Sequence, residues 1–308
     1  MKNFFFNLEH WKAMPLAVAL LMVSPQQGAQ AACNEKDGLE VMQQTTGIVG
    51  VTQINPTTVE VLFTDNQRMT LDFYGENIFR MFQDNAGGIL RDPQAEPEAK
   101  ILVNQPRKAV TKLTLQDEAG LLSVATGKIK VVFDKNTALM KVFNLENGKA
   151  VMEEVSPVMF DKERVTLKLK EQADEYFYGG GVQNGRFSHK GRAIAIENQN
   201  SWTDGGVASP NPFYWSTNGY GIMWHTFKKG VYDFGREEAG VVKLSHQTDY
   251  LDLFVMVNEG TVPLLNDFYQ LTGNPVLIPK FGFYQGHLNA YNRDYWKEDE
   301  NGILFEDG

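Results

Sequence analysis

From about residue 46 to residue 256 the chain is a succession of short β-branched and aromatic runs, alternating apolar and polar at a period of two and cut by Gly, Pro, Asn and Asp. That pattern predicts strands packed face to face in an antiparallel sandwich, because parallel βαβ units need helical stretches between their strands. The clearest runs are 58–63, 68–74, 77–82, 120–125, 128–133, 139–143, 165–170 and 250–257. Residues 165–170, Val-Thr-Leu-Lys-Leu-Lys, place every second side chain on one face. Asp65 and Asn66 join the first two runs, and their short side chains tolerate the left-handed backbone a tight hairpin demands. The stretch Asp84 to Lys100, rich in Gly, Pro, Asp and Glu, predicts a surface loop.

The period changes once, near residue 261. Thr261 reads as a helix cap with Pro263 in the first turn, and Leu264, Leu265, Phe268 and Leu271 then fall on one helical face, with Gly273 and Pro275 as stop signals. Phe281-Gly-Phe-Tyr-Gln285 is a short apolar run that predicts a buried strand opening a new unit. Glu298, Asp299, Glu300 and Asp307 lie in a polar run and read as solvated loop charges.

The first 31 residues have a different character. Lys2 and Lys12 precede the apolar run Met14 to Ser24, which is shorter than the roughly 20 residues that span a bilayer, and Ala29-Gln-Ala31 supplies the small-x-small pattern of a signal-peptidase site. The expectation is an exported protein, periplasmic or extracellular, with 1–31 as signal peptide. Alternatively, Ala31-Ala32-Cys33 marks Cys33 as a lipid-anchored first residue, although Gln30 stands where such sites carry an apolar side chain. No later segment is long and apolar enough for a membrane span.

Composition narrows the chemistry. The 308 residues are 43% apolar, 12% aromatic and 22% charged, as in ordinary globular proteins. A formal charge of −9 without a Lys/Arg cluster argues against a nucleic-acid partner. One cysteine excludes an intrachain disulfide framework and a multi-thiolate metal site. No cofactor is expected. The glycine-rich segment 176–191 lacks the following helix that a phosphate cradle needs, and reads better as a strand-to-loop transition where backbones approach closely. Asn198-Gln-Asn-Ser-Trp-Thr-Asp-Gly-Gly206 and Ser209-Pro-Asn-Pro-Phe-Tyr-Trp215 combine aromatics with amides and a carboxylate. Sugar sites use that mixture, since rings stack on a pyranose while amides and carboxylates pair with its hydroxyls. Aromatics filling a core between polar turns account for the composition equally well. Gly282 to Trp296 is likewise dense in polar and aromatic side chains.

Taken in order, Tyr176-Phe-Tyr-Gly-Gly-Gly181, Pro212-Phe-Tyr-Trp-Ser-Thr-Asn-Gly-Tyr-Gly221, Gly260-Thr-Val-Pro263 leading to Asp267-Phe-Tyr-Gln-Leu-Thr-Gly-Asn-Pro275, and Pro279-Lys-Phe-Gly-Phe-Tyr284 resemble glycoside hydrolase family 31, the α-glucosidase-like enzymes. The resemblance implies a galactose-mutarotase-like β-sandwich over 32–273, a linker helix, and over 274–308 the first strand of a truncated (β/α)8 barrel. It implies a retaining hydrolase acting on α-linked oligo- or polysaccharides, with both catalytic aspartates on later strands and hence no catalytic residue in this chain. A barrel takes about 250 residues, so the isolated fragment is expected to be inactive. By the same resemblance Asp204 is the nearest counterpart of an aspartate that reaches the leaving-group subsite, with Trp202 beside it, and Tyr291 is a late counterpart of an aromatic after the first barrel strand. His287 and Asn289 share that segment and complete the predicted substrate-binding set. The unusual sequence 286–294 leaves room for an α-glucan transglycosylase or α-galactosidase. The competing class is a free-standing carbohydrate-binding or mutarotase-like sandwich, which needs its own acid/base pair; His189, His225 and His246 are its candidate histidines.

Overall fold

The computed structural model describes residues 47–84, 100–103, 108, 110–118, 120–185, 187–199, 201, 203–283, 296–299 and 302–305. In chain order the strands are β1 (Ile48–Asn55), β2 (Thr58–Phe63), β3 (Arg68–Gly75), β4 (Ile78–Asp84), β5 (Thr114–Glu118), β6 (Leu121–Ala125), β7 (Ile129–Asp134), β8 (Met140–Asn144) and β9 (Ala150–Asp161). They continue as β10 (Arg164–Lys170), β11 (Phe177–Gln183), β12 (Arg192–Ile196), β13 (Val207–Ser216), β14 (Tyr220–Trp224), β15 (Gly230–Phe234), β16 (Val241–His246) and β17 (Tyr250–Val257). One sheet has the order β1-β2-β3-β4-β17-β14-β13-β11 and the other β12-β15-β16-β10-β9-β8-β7-β6-β5. Every pairing is antiparallel, including the predicted hairpin β2–β3, where Asn66 takes the left-handed conformation at φ 67° and its N–H donates to the Phe63 carbonyl at 3.0 Å.

The two sheets bury a common core to which they contribute Val59, Leu71 and Phe79 on one side and Val131, Leu167 and Leu244 on the other. A second apolar cluster lies on the outer face of the first sheet, where Tyr74, Met223, Phe254 and Met256 meet Leu264 and Leu271 of α1 (Thr261–Thr272). Burying two leucines contributes about 1.5–3 kcal/mol each. This second layer explains why all eight residues of β17 are buried. Leu251, Leu253, Val255 and Val257 enter the inter-sheet core, while Phe254 and Met256 pack under the helix.

Three local expectations change. Gly260, not Thr261, is the N-cap of α1, and no side chain closes that end; Thr261 is already the first helical residue. Lys280–Phe283 form a 3-10 turn, closed by the Gly282 N–H on the Pro279 carbonyl at 2.8 Å, where a strand was expected. A strand needs ladder partners for its backbone, and among the described residues nothing pairs with this segment. Glu298 and Asp299 belong not to a loop but to the hairpin β18 (Trp296–Asp299) and β19 (Gly302–Phe305). Of the two readings left open for 209–215, core filling holds for Phe213 and Tyr214, at 4% and 0% exposure. The predicted loop at 85–99 and residues 1–46, with Cys33, lie outside the described residues.

Candidate functional site

The glycine-rich segment is β11 pressed against β13. A Cβ on Gly181 would stand 2.1 Å from the Ser209 carbonyl oxygen, so only glycine, here at φ 80°, lets the two backbones meet. Pro210 and Pro212 are tolerated in β13 because β14 pairs with it only from Phe213 onward. Glu175 pins the start of β11, its carboxylate accepting the Ser216 hydroxyl and, at 2.8 Å, the Gln172 N–H, while burial raises its pKa.

The β12–β13 connection carries Asp204. It is clamped to the β11–β12 turn through Asn184, whose N–H donates to Gly206 at 3.0 Å, whose side-chain amide donates to Ser201 at 2.7 Å, and whose carbonyl accepts Gly205 N–H at 2.9 Å. Gly185, at φ 73°, supplies the opposing wall; a Cβ there would fall 1.6 Å from Asp204 Oδ1. The backbone on both sides of Asp204 is therefore held by hydrogen bonds while Asp204 itself stays exposed. Asn184 and Gly185 lie in the glycine-rich segment 176–191, but nothing in the sequence linked that segment to the connection bearing Asp204.

Beside this connection a cleft of about 510 Å3 is lined by residues that include Glu197, Asn198, Asn211, Trp224, Phe227 and Phe268. The two segments singled out for sugar chemistry thus converge, one through Asn198 and the other through Asn211. Trp224, 0% exposed, carries an indole N–H without a partner among the described residues. Along the outer face, Phe268 stacks on Phe213 at 4.1 Å, Phe213 on Trp215 at 6.0 Å and Trp215 on Tyr178 at 5.8 Å, ending at two half-buried rings. Trp202, His287, Asn289 and Tyr291 lie outside the described residues.

The three candidate histidines are structural in their surroundings. His225 Nδ1 is 3.1 Å from Asp252 Oδ2, and Asp252 also takes two bonds from Arg80 at 2.7 and 2.6 Å in a site closed to solvent. His246 bonds the Tyr232 hydroxyl at 3.0 Å and the Lys228 carbonyl at 2.8 Å, and burial lowers its pKa to about 4. His189 bonds the Gly179 carbonyl at 2.8 Å and stacks on Phe234. All three are at most 3% exposed. Among the described residues no group of three or more His, Cys, Asp or Glu could hold a metal ion, and no helix is long and apolar enough to cross a membrane.

Residues 68–233 match the family described as the glycosyl hydrolase 31 N-terminal galactose mutarotase-like domain. An alpha-xylosidase of Lactiplantibacillus pentosus is 26% identical over 219 residues, covering 69% of this chain and 28% of its own length. An alpha-xylosidase of Emericella nidulans is 27% identical over 149 residues, which are 48% of this chain and 19% of that protein. The chain therefore spans less than a third of the length of these relatives. Among solved structures, the Flavobacterium johnsoniae GH31 dextranase bound to isomaltotriose superposes with a TM-score of 0.69 at 16% identity, over 77% of this chain and 29% of the dextranase. A soil-metagenome GH31 alpha-xylosidase bound to xylose gives 0.61 at 19% identity, over 74% of this chain and 35% of that one.

Proposed function

Because the chain belongs to the glycosyl hydrolase 31 N-terminal galactose mutarotase-like domain family, we propose that it is the sandwich portion of an exported α-glycoside hydrolase, which supplies substrate contacts but not the catalytic carboxylates. Asp204 carries this reading: it is exposed on a connection that Asn184 ties down through Ser201, Gly205 and Gly206 and whose first residues, Glu197 and Asn198, line a cleft of mixed amide and aromatic character. Its role is to accept hydrogen bonds from leaving-group hydroxyls, with Trp202 as the adjoining stacking surface and His287, Asn289 and Tyr291 contributing from the far end of the chain. The substrates are α-linked xylosides or glucans, the classes named for the relatives, and hydrolysis proceeds with retention through two aspartates about 5–5.5 Å apart that lie beyond residue 308. A mutarotase activity within the sandwich is disfavoured because its three histidines are walled off from solvent, whereas a general base must reach its substrate.

The test compares this 308-residue chain with the product of the full reading frame, on aryl α-xyloside, aryl α-glucoside and isomalto-oligosaccharides. The expected result is turnover by the longer product alone, found in the periplasmic or extracellular fraction with cleavage before Ala32 or with Cys33 lipidated. Turnover by the 308-residue chain itself would overturn the assignment of catalysis to residues outside it.

A further inference from the structure

Glu154 sits where β9 shifts register against β10 and just past Glu153, the last residue of β9 that pairs with β8. Pairing with β10 shifts between Ser156 and Glu154, and on the other side the Met140 N–H of β8 is satisfied not by a ladder carbonyl but by Glu154 Oε2 at 2.9 Å. A side chain thus repairs the ladder at a bulge, which fixes the carboxyl group in place. The residue is 5% exposed, and its second oxygen, Oε1, has no partner among the described residues.

Glu154 lines a crevice of about 210 Å3 that opens between the two sheets. The first sheet contributes Phe63, Met69 and Gln83 and the β2–β3 turn contributes Asp65 and Gln67; Pro157, Val158 and Phe160 of β9 form the opposite wall. A space of this size holds several water molecules. We propose that this crevice is a binding site for a single neutral sugar ring, distinct from the connection that carries Asp204. An orphan buried oxygen costs free energy, and a ligand hydroxyl removes that cost. The apolar walls match the ring face, while Gln83 and Asp65 offer further hydrogen bonds. Among the described residues no lysine, arginine or histidine lines the crevice, which argues against an anionic ligand. Burial also keeps the Glu154 carboxyl protonated at neutral pH, with its pKa raised to about 8, so it meets the ligand as a neutral group and does not select a cation. The site goes beyond the glycosidase reading, and its test reads binding by this chain alone.

The experiment is an NMR titration of the 15N-labelled 308-residue chain with D-glucose and D-xylose, using the Met140 amide as reporter and glycerol and ammonium as controls. Saturable shifts at Met140 and Gln83 are expected with either sugar, at affinities about tenfold better than for glycerol or ammonium. Glu154→Gln should bind within about threefold of wild type, since the amide oxygen keeps Met140 and its NH2 donates into the crevice. Glu154→Leu should weaken binding by about tenfold or more. Val158→Phe, which fills the crevice from its half-buried rim, should abolish binding and stands in should the leucine variant not fold. The proposal is overturned by the absence of saturable shifts, by equal response to glycerol or ammonium, or by unchanged binding in Val158→Phe.

Discussion

Replacing Glu154 by Gln should make the protein more stable, and increasingly so as pH rises. Burial pushes the Glu154 carboxyl from its ordinary 4.5 up to about 8, against the opposing pull of the Met140 N–H. A carboxyl with a raised folded-state pKa gives up stability as pH climbs from the unfolded value to the folded one, at about 1.4 kcal/mol per unit. Between pH 5 and pH 7 this group alone should remove about 2–3 kcal/mol, a large share of the ~5–15 kcal/mol a domain has. His246 works in the opposite sense. Its pKa is lowered from 6.5 to about 4, so its contribution is complete above pH 6.5 and is lost as pH falls toward 4. The two slopes oppose each other over the same window, and the wild-type pH profile cannot separate them. Glu154→Gln isolates one: it keeps an acceptor for Met140, abolishes the titration and leaves His246 untouched. Urea unfolding of both proteins at pH 5 and pH 7 should show the stability difference growing by about 2–3 kcal/mol in favour of the variant. A difference that is the same at both pH values would refute the reasoning, because it would mean that Glu154 ionises in the folded protein as readily as in the unfolded one.

Asp204→Ala in the full-length enzyme should lower kcat/KM for oligosaccharides by about tenfold or more while leaving aryl glycosides nearly unaffected, since an aryl leaving group lacks the hydroxyls Asp204 is proposed to bind; equal losses on both substrates would assign it a structural role. Gly185→Ala, which puts a methyl group on Asp204, should reproduce the selective loss in weaker form, read by the same pair of substrates. Asp252→Asn removes the charge that faces the buried Arg80 and should cost about 3–5 kcal/mol in urea unfolding, whereas the joint replacement Arg80→Met with Asp252→Leu should cost much less. Leu264→Ala should destabilise by about 2–5 kcal/mol, with the helix signal and the sandwich lost in one transition if α1 is part of the same cooperative unit.

The sequence by itself determined the strand content, because a period of two written in β-branched and aromatic residues leaves few alternatives, and it placed α1 to within a residue because Pro263, the leucine spacing and Gly273 act locally. It did not expose β9 as a continuous strand: Glu153, Glu154, Ser156 and Pro157 break the alternation, and only the neighbouring ladders of β8 and β10 hold that stretch extended. The order of the motifs identified the family, but no local pattern could show that Asn184 and Gly185 hold the connection bearing Asp204, since their partners lie about 20 residues away in sequence and are joined by β12. Tertiary structure also decided which aromatics are available. Phe213 and Trp215 lie two residues apart and so share one face of β13, yet α1 covers the first and leaves the second half exposed. Glu154 marks the same boundary from the other side: its composition reads as a surface charge, and only the meeting of two sheets turns it into a buried acid facing a crevice.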